Sequence, residues 1–452
     1  MAGINFAISG SDKNVIKDCY DSAKAQQNRG TGGWVFKTGG FSGKLYGNKT
    51  MPVEKYDMTY GVLEHMESSV ASCFVTKNVY AKTRVIDHGL MVDGYIVNRR
   101  ELTDGIEDRD PFLMLEKKMM SAKGLEELEE VFSHYVRGVG VLEKEDRLIA
   151  IRDRTGFKTG WVGEDSEKNL QMFVQESYIL ESMYNMPSRE MRPGEIMEFR
   201  FNGDSSGFVN ESERLLFDPQ EIVKNFHPST EIFGKSVYRH RLDLGRSLAK
   251  MYGGMLDDGG LASKKKVVTS FPEGPRPAGF GFYREAVGKV EYDEIYFKDR
   301  EASANDQQRR FGSKNKFPFT VNGDAIVKDG IYIAIDDSLM KGTNARRHGE
   351  IVKGFEGVPV YMTMQVPIVF PGQVGYYTVG ETMFNHKYSG DIKSGKISTI
   401  SQMNALVSKD LGYTIRFNSP DSMASSMFSE VGGKHGKENL AMPDQVRAMS
   451  LN

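Results

Sequence analysis

The residues with the clearest chemical potential follow an apolar segment in the second half of the chain. The pattern of Ile331–Ile335 predicts a buried strand, which ends in two adjacent carboxylates, Asp336 and Asp337, and the segment Ser-Leu-Met-Lys-Gly-Thr. In an open α/β sheet, ligands bind beyond the carboxyl ends of the strands. Successive backbone N–H groups, the hydroxyls of Ser338 and Thr343 and the start of the next helix can bind one phosphate. The carboxylates would then face a polyol or a metal ion, although acids after a strand also occur in plain helix caps.

The elements around this segment fall into two sets. Before about Phe217, short β-rich runs alternate with glycine turns, and two helical stretches interrupt them at Pro111–Met120 and Gly124–Tyr135. The composition turns polar near Asn210–Ser229, and a strand–loop–helix order follows, which is typical of a parallel sheet. We therefore predict layered α and β structure in one domain over 1–231 and an α/β domain over 232–431. The polar tail, 432–452, is predicted to be mobile or held only by a partner.

Composition excludes several classes of protein. The 452 residues include 59 Lys+Arg and 61 Asp+Glu, a net charge of −2 that argues against a general nucleic-acid binder. Two cysteines cannot supply a disulfide framework, a four-thiolate zinc site or a cysteine-ligated iron–sulfur cluster, and they favour a reducing, cytoplasmic setting. The N-terminus does not resemble a secretory signal, and prolines interrupt the uncharged stretch 357–380, so we predict no membrane span.

Three segments of the second half give the chain a specific resemblance. HPSTEIFGKSVYRHRLDLGRSLA, VVTSFPEGPRPAGFGF and DDSLMKGTNARR, in this order and spacing, resemble the amidophosphoribosyltransferase family, which begins purine synthesis. MAGINFAISG, DGYIVNRREL, AIRDRTGFKTGWVG and VQESYILESMYNMPSREMRPGEIMEF more loosely resemble its glutamine amidotransferase half. The resemblance implies an N-terminal-nucleophile hydrolase-like αββα domain, followed by a type I phosphoribosyltransferase domain with a mostly parallel sheet.

The resemblance assigns roles around phosphoribosyl diphosphate (PRPP). It implies that Asp336 and Asp337 contact the ribose hydroxyls and act on PRPP-bound Mg²⁺ only indirectly. The loop that would hold the 5′-phosphate, called the phosphate loop below, comprises Ser338, Leu339, Met340, Lys341, Gly342 and Thr343. Lys341 stands where many relatives have arginine, so the charge is kept but the two-pronged hydrogen bonding is lost.

The resemblance also implies a second loop that binds the diphosphate and a flexible segment that covers it. The diphosphate loop comprises Ser270, Phe271, Pro272, Glu273 and Gly274, and its backbone amides would hold the leaving group. Glu273 and Gly274 replace the usual Asp and Ser, and a proline- and glycine-rich segment is by itself only a turn. The cover, or flexible lid, would exclude water with the cations Arg300, Arg309, Arg310 and Lys316, although most charged runs are solvated surfaces.

The glutaminase half departs from its family at three places. The family uses an N-terminal cysteine freed by removal of Met1, but position 2 is Ala2, whose methyl group cannot attack an amide. The corresponding segment SCFVTKN lacks the arginine that clamps the glutamine carboxylate, and Asp93-Gly94 replaces Asn-Gly. A carboxylate at Asp93 would repel the developing oxyanion. We therefore predict a degenerate glutaminase site at Ala2, Asp93 and Gly94.

Three functions remain open from the sequence. The first is a Mg²⁺-dependent phosphoribosyltransferase, without an iron–sulfur cluster, that transfers ribose 5-phosphate from PRPP to ammonia or another amine. The second is a PRPP- or nucleotide-binding pseudoenzyme that regulates or scaffolds a partner. The third is an ordinary amidophosphoribosyltransferase with an engineered change of its nucleophile to alanine. A homo-oligomer, without nucleic-acid or membrane partners, is expected in each case.

Overall fold

The chain divides into two compact units, Met1–Phe217 and Asp218–Asn452. The computed structural model describes residues 2–9, 14–25, 33–38, 44–46, 70–76, 89–106, 109–144, 146–210, 215–258, 262–298, 319–370, 384–431 and 435–452. The division lies earlier than the boundary at 231 expected from the sequence. Ile222 and Phe226 are buried, and their carbonyls accept hydrogen bonds from Arg241 of the second unit. The polar composition of this segment therefore indicated a boundary between domains, but it did not show to which of the two units the segment belongs.

The first unit contains two antiparallel sheets. Their strands are β1 Ala2–Ser9, β2 Gly33–Thr38, β3 Lys44–Tyr46, β4 Val70–Thr76, β5 Leu90–Ile96, β6 Val136–Lys144, β7 Arg147–Arg152, β8 Trp161–Asp165, β9 Leu170–Val174, β10 Ser188–Glu190, β11 Glu195–Arg200 and β12 Ser205–Val209. One sheet has the order β10-β8-β9-β1-β4-β2-β3, and the other has the order β12-β11-β7-β6-β5. The described residues of this unit also form helices α1 Ile16–Ala25, α2 Arg99–Leu102, α3 Pro111–Ser121 and α4 Leu125–Tyr135, and a π-helical turn, Ile179–Met183.

Side-chain alternation arranges these elements in four layers. Ile4, Phe6 and Ile8 of β1 point to one face and pack against β6, β7 and β11 of the other sheet. Ala7, on the opposite face of β1, packs with Cys19 of α1. Helices α3 and α4 cover the outer face of the second sheet. The predicted αββα architecture is confirmed, and α3 and α4 match the two helical stretches expected from the sequence.

The second unit is built on a parallel sheet. Its elements are a π-helical turn Glu221–Asn225, β13 Glu231–Ile232, β14 Lys235–Ser236, α5 Val237–Tyr252, β15 Lys266–Ser270, α6 Arg276–Glu285, β16 Glu291–Tyr292, β17 Tyr296–Lys298, β18 Phe319–Val321, β19 Ile331–Asp336, α7 Thr343–Gly354, β20 Val358–Thr363, α8 Ser389–Lys393, α9 Ile400–Leu411, β21 Thr414–Phe417, α10 Pro420–Met427 and α11 Asp444–Arg447. The sheet order is β16-β15-β19-β20-β21, with every neighbouring pair parallel. The predicted parallel α/β sheet is therefore confirmed.

The C-terminal segment differs from the expected mobile tail. In the described part of it, 435–452, Val446 and Met449 are buried, and Met449 belongs to the core of the second unit. The backbone N–H of Ile400 also donates to Ser450 O at 2.8 Å. A few apolar side chains without a regular period are enough to hold this segment, and no periodicity signal could reveal that.

Two further features are absent from the described residues. None of the helices within those ranges has the length and apolarity needed to cross a membrane. The same residues include no group of three or more His, Cys, Asp or Glu arranged to hold a metal ion.

Candidate functional site

Two loops meet at one edge of the parallel sheet. Strands β15 and β19 are parallel neighbours, and Ser270, the last residue of β15, pairs with Ile335 of β19. The N–H of Phe271 continues this register by donating to Ile335 O at 3.0 Å. The diphosphate loop after β15 and the phosphate loop after β19 therefore leave the sheet side by side. This is the edge at which ligands of such sheets collect.

Asp336 is buried, with 4% of its surface exposed. Its carboxylate accepts hydrogen bonds from the Tyr361 hydroxyl, from Asn344 Nδ2 at 2.9 Å and from the N–H of Asp337 at 2.8 Å. Burial and the adjacent charge of Asp337 raise the pKa of Asp336, while the bonds from Tyr361 and Asn344 oppose that rise. These contacts occupy Asp336 within the protein and fix the end of β19.

Asp337 is the more accessible carboxylate, with 23% of its side chain exposed. The Ser338 hydroxyl donates to its Oδ1 at 2.7 Å, and Lys224 Nζ lies 3.9 Å from its Oδ2. An exposed carboxylate with its conformation set by a serine can accept hydrogen bonds from two neighbouring hydroxyls. Asp337 thus has the chemistry required to bind a sugar.

The phosphate loop ends in the first turn of helix α7. Gly342 precedes that helix with φ of 72°, a left-handed conformation that favours glycine, and no side chain caps the helix. Because the first N–H groups of a helix lack partners within it, uncapped ones are available to an anion. Leu339 is buried, and the N–H of Phe384 donates to Met340 O at 2.8 Å, which anchors the loop to the unit.

The diphosphate loop divides into an anchored part and an exposed part. Ser270 and Phe271 are buried, and the Phe271 ring stacks on Tyr296 at a centroid distance of 4.5 Å. Glu273 has a largely exposed side chain, and Lys298 Nζ lies 4.0 Å from it. Phe271 is thus a core residue, and the exposed loop surface begins after it. The expected lid residues Arg300, Arg309, Arg310 and Lys316 lie outside the described residues.

Several residues around Asp336 belong to no sequence motif and were not expected at this site. Tyr361 and Asn344 hold Asp336, and His348 of α7 is buried behind them. His348 Nε2 lies 3.1 Å from Tyr332 O, and its Nδ1 lies 2.6 Å from the Tyr296 hydroxyl. Parallel pairing of β19 with β20 could have indicated that an aromatic residue lies near Asp336. The histidine contacts depend on the packing of a helix on the sheet, which the sequence does not reveal.

In the first unit, the expected glutaminase positions form a different arrangement. Asp93 is buried, and Gln175 Nε2 donates to its Oδ2 at 3.0 Å, while Gln175 Oε1 accepts from the N–H of Ile4 at 2.8 Å. Ala2 begins β1, but its side chain lies outside the described residues. A Cβ on Gly94 would lie 2.2 Å from Arg137 O, so close strand contact alone requires this glycine. Gln175 is the member of this group that sequence reasoning missed.

Comparison with known proteins gives distant but consistent relatives. No protein-family model matches the chain. It is 25% identical over 232 residues to the amidophosphoribosyltransferase of Rhizobium etli, covering 50% of this chain and 44% of that protein. It is 23% identical over 388 residues to amidophosphoribosyltransferase 1, chloroplastic, of Arabidopsis thaliana, covering 79% and 65%. The amidophosphoribosyltransferase of Methanocaldococcus jannaschii is 23% identical over 424 residues, covering 83% and 86%.

Solved structures agree on the fold. The glutamine PRPP amidotransferase of B. subtilis, complexed with ADP and GMP, superposes with a TM-score of 0.71 at 16% identity and covers 94% of this chain and 92% of that one. The matches to the first three curated relatives span only 44%, 58% and 65% of their lengths, less than two thirds of each. The chain is therefore similar in sequence to amidophosphoribosyltransferases and shares the fold of PRPP amidotransferases.

Proposed function

We propose that the second unit transfers the phosphoribosyl group of PRPP to a nitrogen nucleophile and releases diphosphate. The main support is the position of Asp337, an accessible carboxylate beside two loops expected to bind anions, at the carboxyl edge of a parallel sheet. Curated relatives named amidophosphoribosyltransferase give the reaction class.

Each part of the site has a task in this reaction. Asp337 accepts hydrogen bonds from the ribose hydroxyls, and Asp336, held by Tyr361 and Asn344, keeps it in place. The phosphate loop and the start of α7 bind the 5′-phosphate through backbone N–H groups. The diphosphate loop binds the leaving group. The sequence resemblance implied that both carboxylates contact the ribose hydroxyls. We instead propose that Asp337 alone does so, because Asp336 is buried.

The chemical step itself requires little covalent participation by the protein. The C1–O bond to diphosphate breaks, and its electron pair leaves with the diphosphate. The nitrogen lone pair forms the new N–C1 bond, after which the nitrogen loses a proton. Because C1 becomes cationic and the diphosphate gains charge, positioning and electrostatic stabilisation supply the rate.

Magnesium fits this site as an ion carried by the substrate. Mg²⁺ prefers oxygen ligands and is commonly held by one or two carboxylates together with substrate phosphates. At the described part of this edge, the chain offers the accessible Asp337 rather than a cluster of acids. When bound, the ion would neutralise diphosphate charge, and Asp336 and Asp337 would act on it only through PRPP.

We further propose that the first unit has lost glutaminase activity. Ala2 lacks a nucleophile, the SCFVTKN segment lacks an arginine, and Asp93 is hydrogen-bonded to Gln175. The nitrogen would then be ammonia or another amine. Cytoplasmic location and homo-oligomer formation stay predictions.

The glutaminase proposal is tested by restoring the nucleophile alone. We expect Ala2→Cys, with Met1 removal verified by mass spectrometry, to release no glutamate from glutamine, because catalytic groups act as a unit. Glutamate release is measured with and without PRPP, and the unchanged protein is the control. Robust activity from this single change would favour an ordinary amidophosphoribosyltransferase with an engineered alanine, and the native codon at position 2 would then settle its origin.

The transferase proposal is tested by diphosphate release. Protein, PRPP and Mg²⁺ are combined with ammonium, with glutamine or with no nitrogen source. We expect release with ammonium and only background with glutamine. PRPP binding without release under any condition would favour the binding-only pseudoenzyme, for which the exposed Glu273 carboxylate in the expected diphosphate loop is the supporting observation.

A further inference from the structure

Lys224 lies beside the candidate sugar site although no motif marks it. It belongs to the π-helical turn Glu221–Asn225, and its Nζ is 3.9 Å from Asp337 Oδ2. Its side chain is 35% exposed, so the ammonium group is reachable from solvent and can move on its flexible stem. The carboxylate proposed to bind ribose thus already faces a cation.

A buried arginine connects the Lys224 turn with the diphosphate loop. Arg241 Nε donates to Ile222 O at 2.8 Å, and its Nη2 donates to Phe226 O at 2.9 Å, on either side of Lys224. Arg241 is 2% exposed, and its Nη1 lies 3.9 Å from the position of a Cβ on Gly274. One rigid guanidinium therefore holds the turn next to the loop expected to bind diphosphate.

The neighbouring histidine does not supply a comparable charge. Burial, and secondarily the charge of Arg241, lower the pKa of His227, so this side chain stays neutral at neutral pH. Arg241 is fixed by its two backbone acceptors. Of these three basic side chains, Lys224 is the cation that can change partners.

Resting on the transferase function proposed above, we propose that Lys224 exchanges Asp337 for the diphosphate of PRPP. Ribose hydroxyls binding to Asp337 displace the ammonium group, and the incoming diphosphate provides a new anion next to the same turn. The exchange places a positive charge where negative charge builds as the C1–O bond breaks. Asp337 is at the same time released to accept hydrogen bonds from the sugar.

The alternative is an ordinary surface ion pair with no role in binding. Such pairs contribute little, typically about 0–1 kcal/mol. The chain offers a matched comparison, because Lys250 Nζ is also 3.9 Å from a carboxylate, that of Glu285, in a pair formed between α5 and α6. Lys250→Met therefore removes the same charge from a pair of the same length.

The test uses two probes that separate the halves of the substrate. Calorimetry measures binding of diphosphate with Mg²⁺ and of ribose 5-phosphate to the full chain and to Lys224→Met, Lys224→Arg and Lys250→Met. We expect Lys224→Met to weaken diphosphate binding roughly 10- to 100-fold, as for loss of a charge-assisted contact. Ribose 5-phosphate binding should be unchanged or tighter, because the competitor for Asp337 is gone. Lys224→Arg should stay within about threefold of the unchanged protein, since the charge is kept.

The outcomes distinguish this inference from the function on which it rests. Equal weakening of both probes would indicate a merely structural lysine and overturn the exchange, as would no change for either probe. The same loss of diphosphate binding in Lys250→Met would also overturn it. If the unchanged protein bound neither probe, the transferase proposal itself would fail, and the role of Lys224 would fail with it.

Discussion

At the scale of single residues, the two adjacent carboxylates have different environments. Asp336 accepts three hydrogen bonds inside the protein, whereas Asp337 is partly exposed and faces Lys224 and Ser338. Sequence reasoning assigned both carboxylates the same role, because two adjacent acids after a strand do not show which of them is buried. The structure surrounds the inner acid with donors from the protein and leaves the outer one partly exposed, which is the basis of the different roles proposed for them.

This difference predicts that Asp336→Asn mainly destabilises the second unit. The new amide would direct N–H groups at a site where Tyr361, Asn344 and the Asp337 N–H all donate, leaving buried donors without acceptors. We expect a loss of about 1–3 kcal/mol in the free energy of unfolding. Denaturant unfolding followed by circular dichroism measures it. Asp329→Asn, at a largely exposed aspartate of the same unit, is the control. A stability equal to that of this control would contradict the supporting role.

At the scale of elements, the sequence predicted the strands and the loops that follow them but not what packs behind them. The apolar run of β19 and the turn residues after β15 are local signals, so both loops could be placed in advance. Lys224 and Gln175 could not, because each meets its partner far along the chain. His348 likewise joins α7 to β19 and β17 through contacts that no spacing encodes.

Two buried histidines make the stability of the second unit dependent on pH. Burial lowers the pKa of both His240 and His348 from 6.5 to about 4. Between these values the unfolded chain binds more protons than the folded one, so stability falls as pH drops from about 6.5 to about 4. Each histidine contributes at most about 3 kcal/mol to this loss.

The prediction is checked by denaturant unfolding of the unchanged protein and His348→Gln at pH 7, 5.5 and 4.5. Glutamine keeps one donor and one acceptor but does not titrate, so the variant should lose less stability on acidification. Equal losses in the two proteins would show that His348 does not take up a proton on unfolding.

At the scale of the whole molecule, the two units differ in how many of the expected site residues accompany the expected fold. The first keeps the four-layer architecture, while its expected glutaminase positions hold an alanine and a buried Asp93–Gln175 pair. The second keeps both loops at the edge of its parallel sheet. Fold class followed from patterning and resemblance, whereas the state of each site depends on a few side chains.

The most direct test of this account compares the rate of diphosphate release from PRPP, Mg²⁺ and ammonium in the unchanged protein, Asp337→Asn and Asp329→Asn. Because Asp337 is proposed to hold the ribose through charge-assisted hydrogen bonds, we predict that Asp337→Asn lowers kcat/KM roughly 10- to 100-fold. Asp329→Asn should match the unchanged protein. All three proteins should have the same circular dichroism spectrum and similar unfolding midpoints. Unaltered diphosphate release by a folded Asp337→Asn protein would contradict the central claim that this carboxylate binds the transferred sugar.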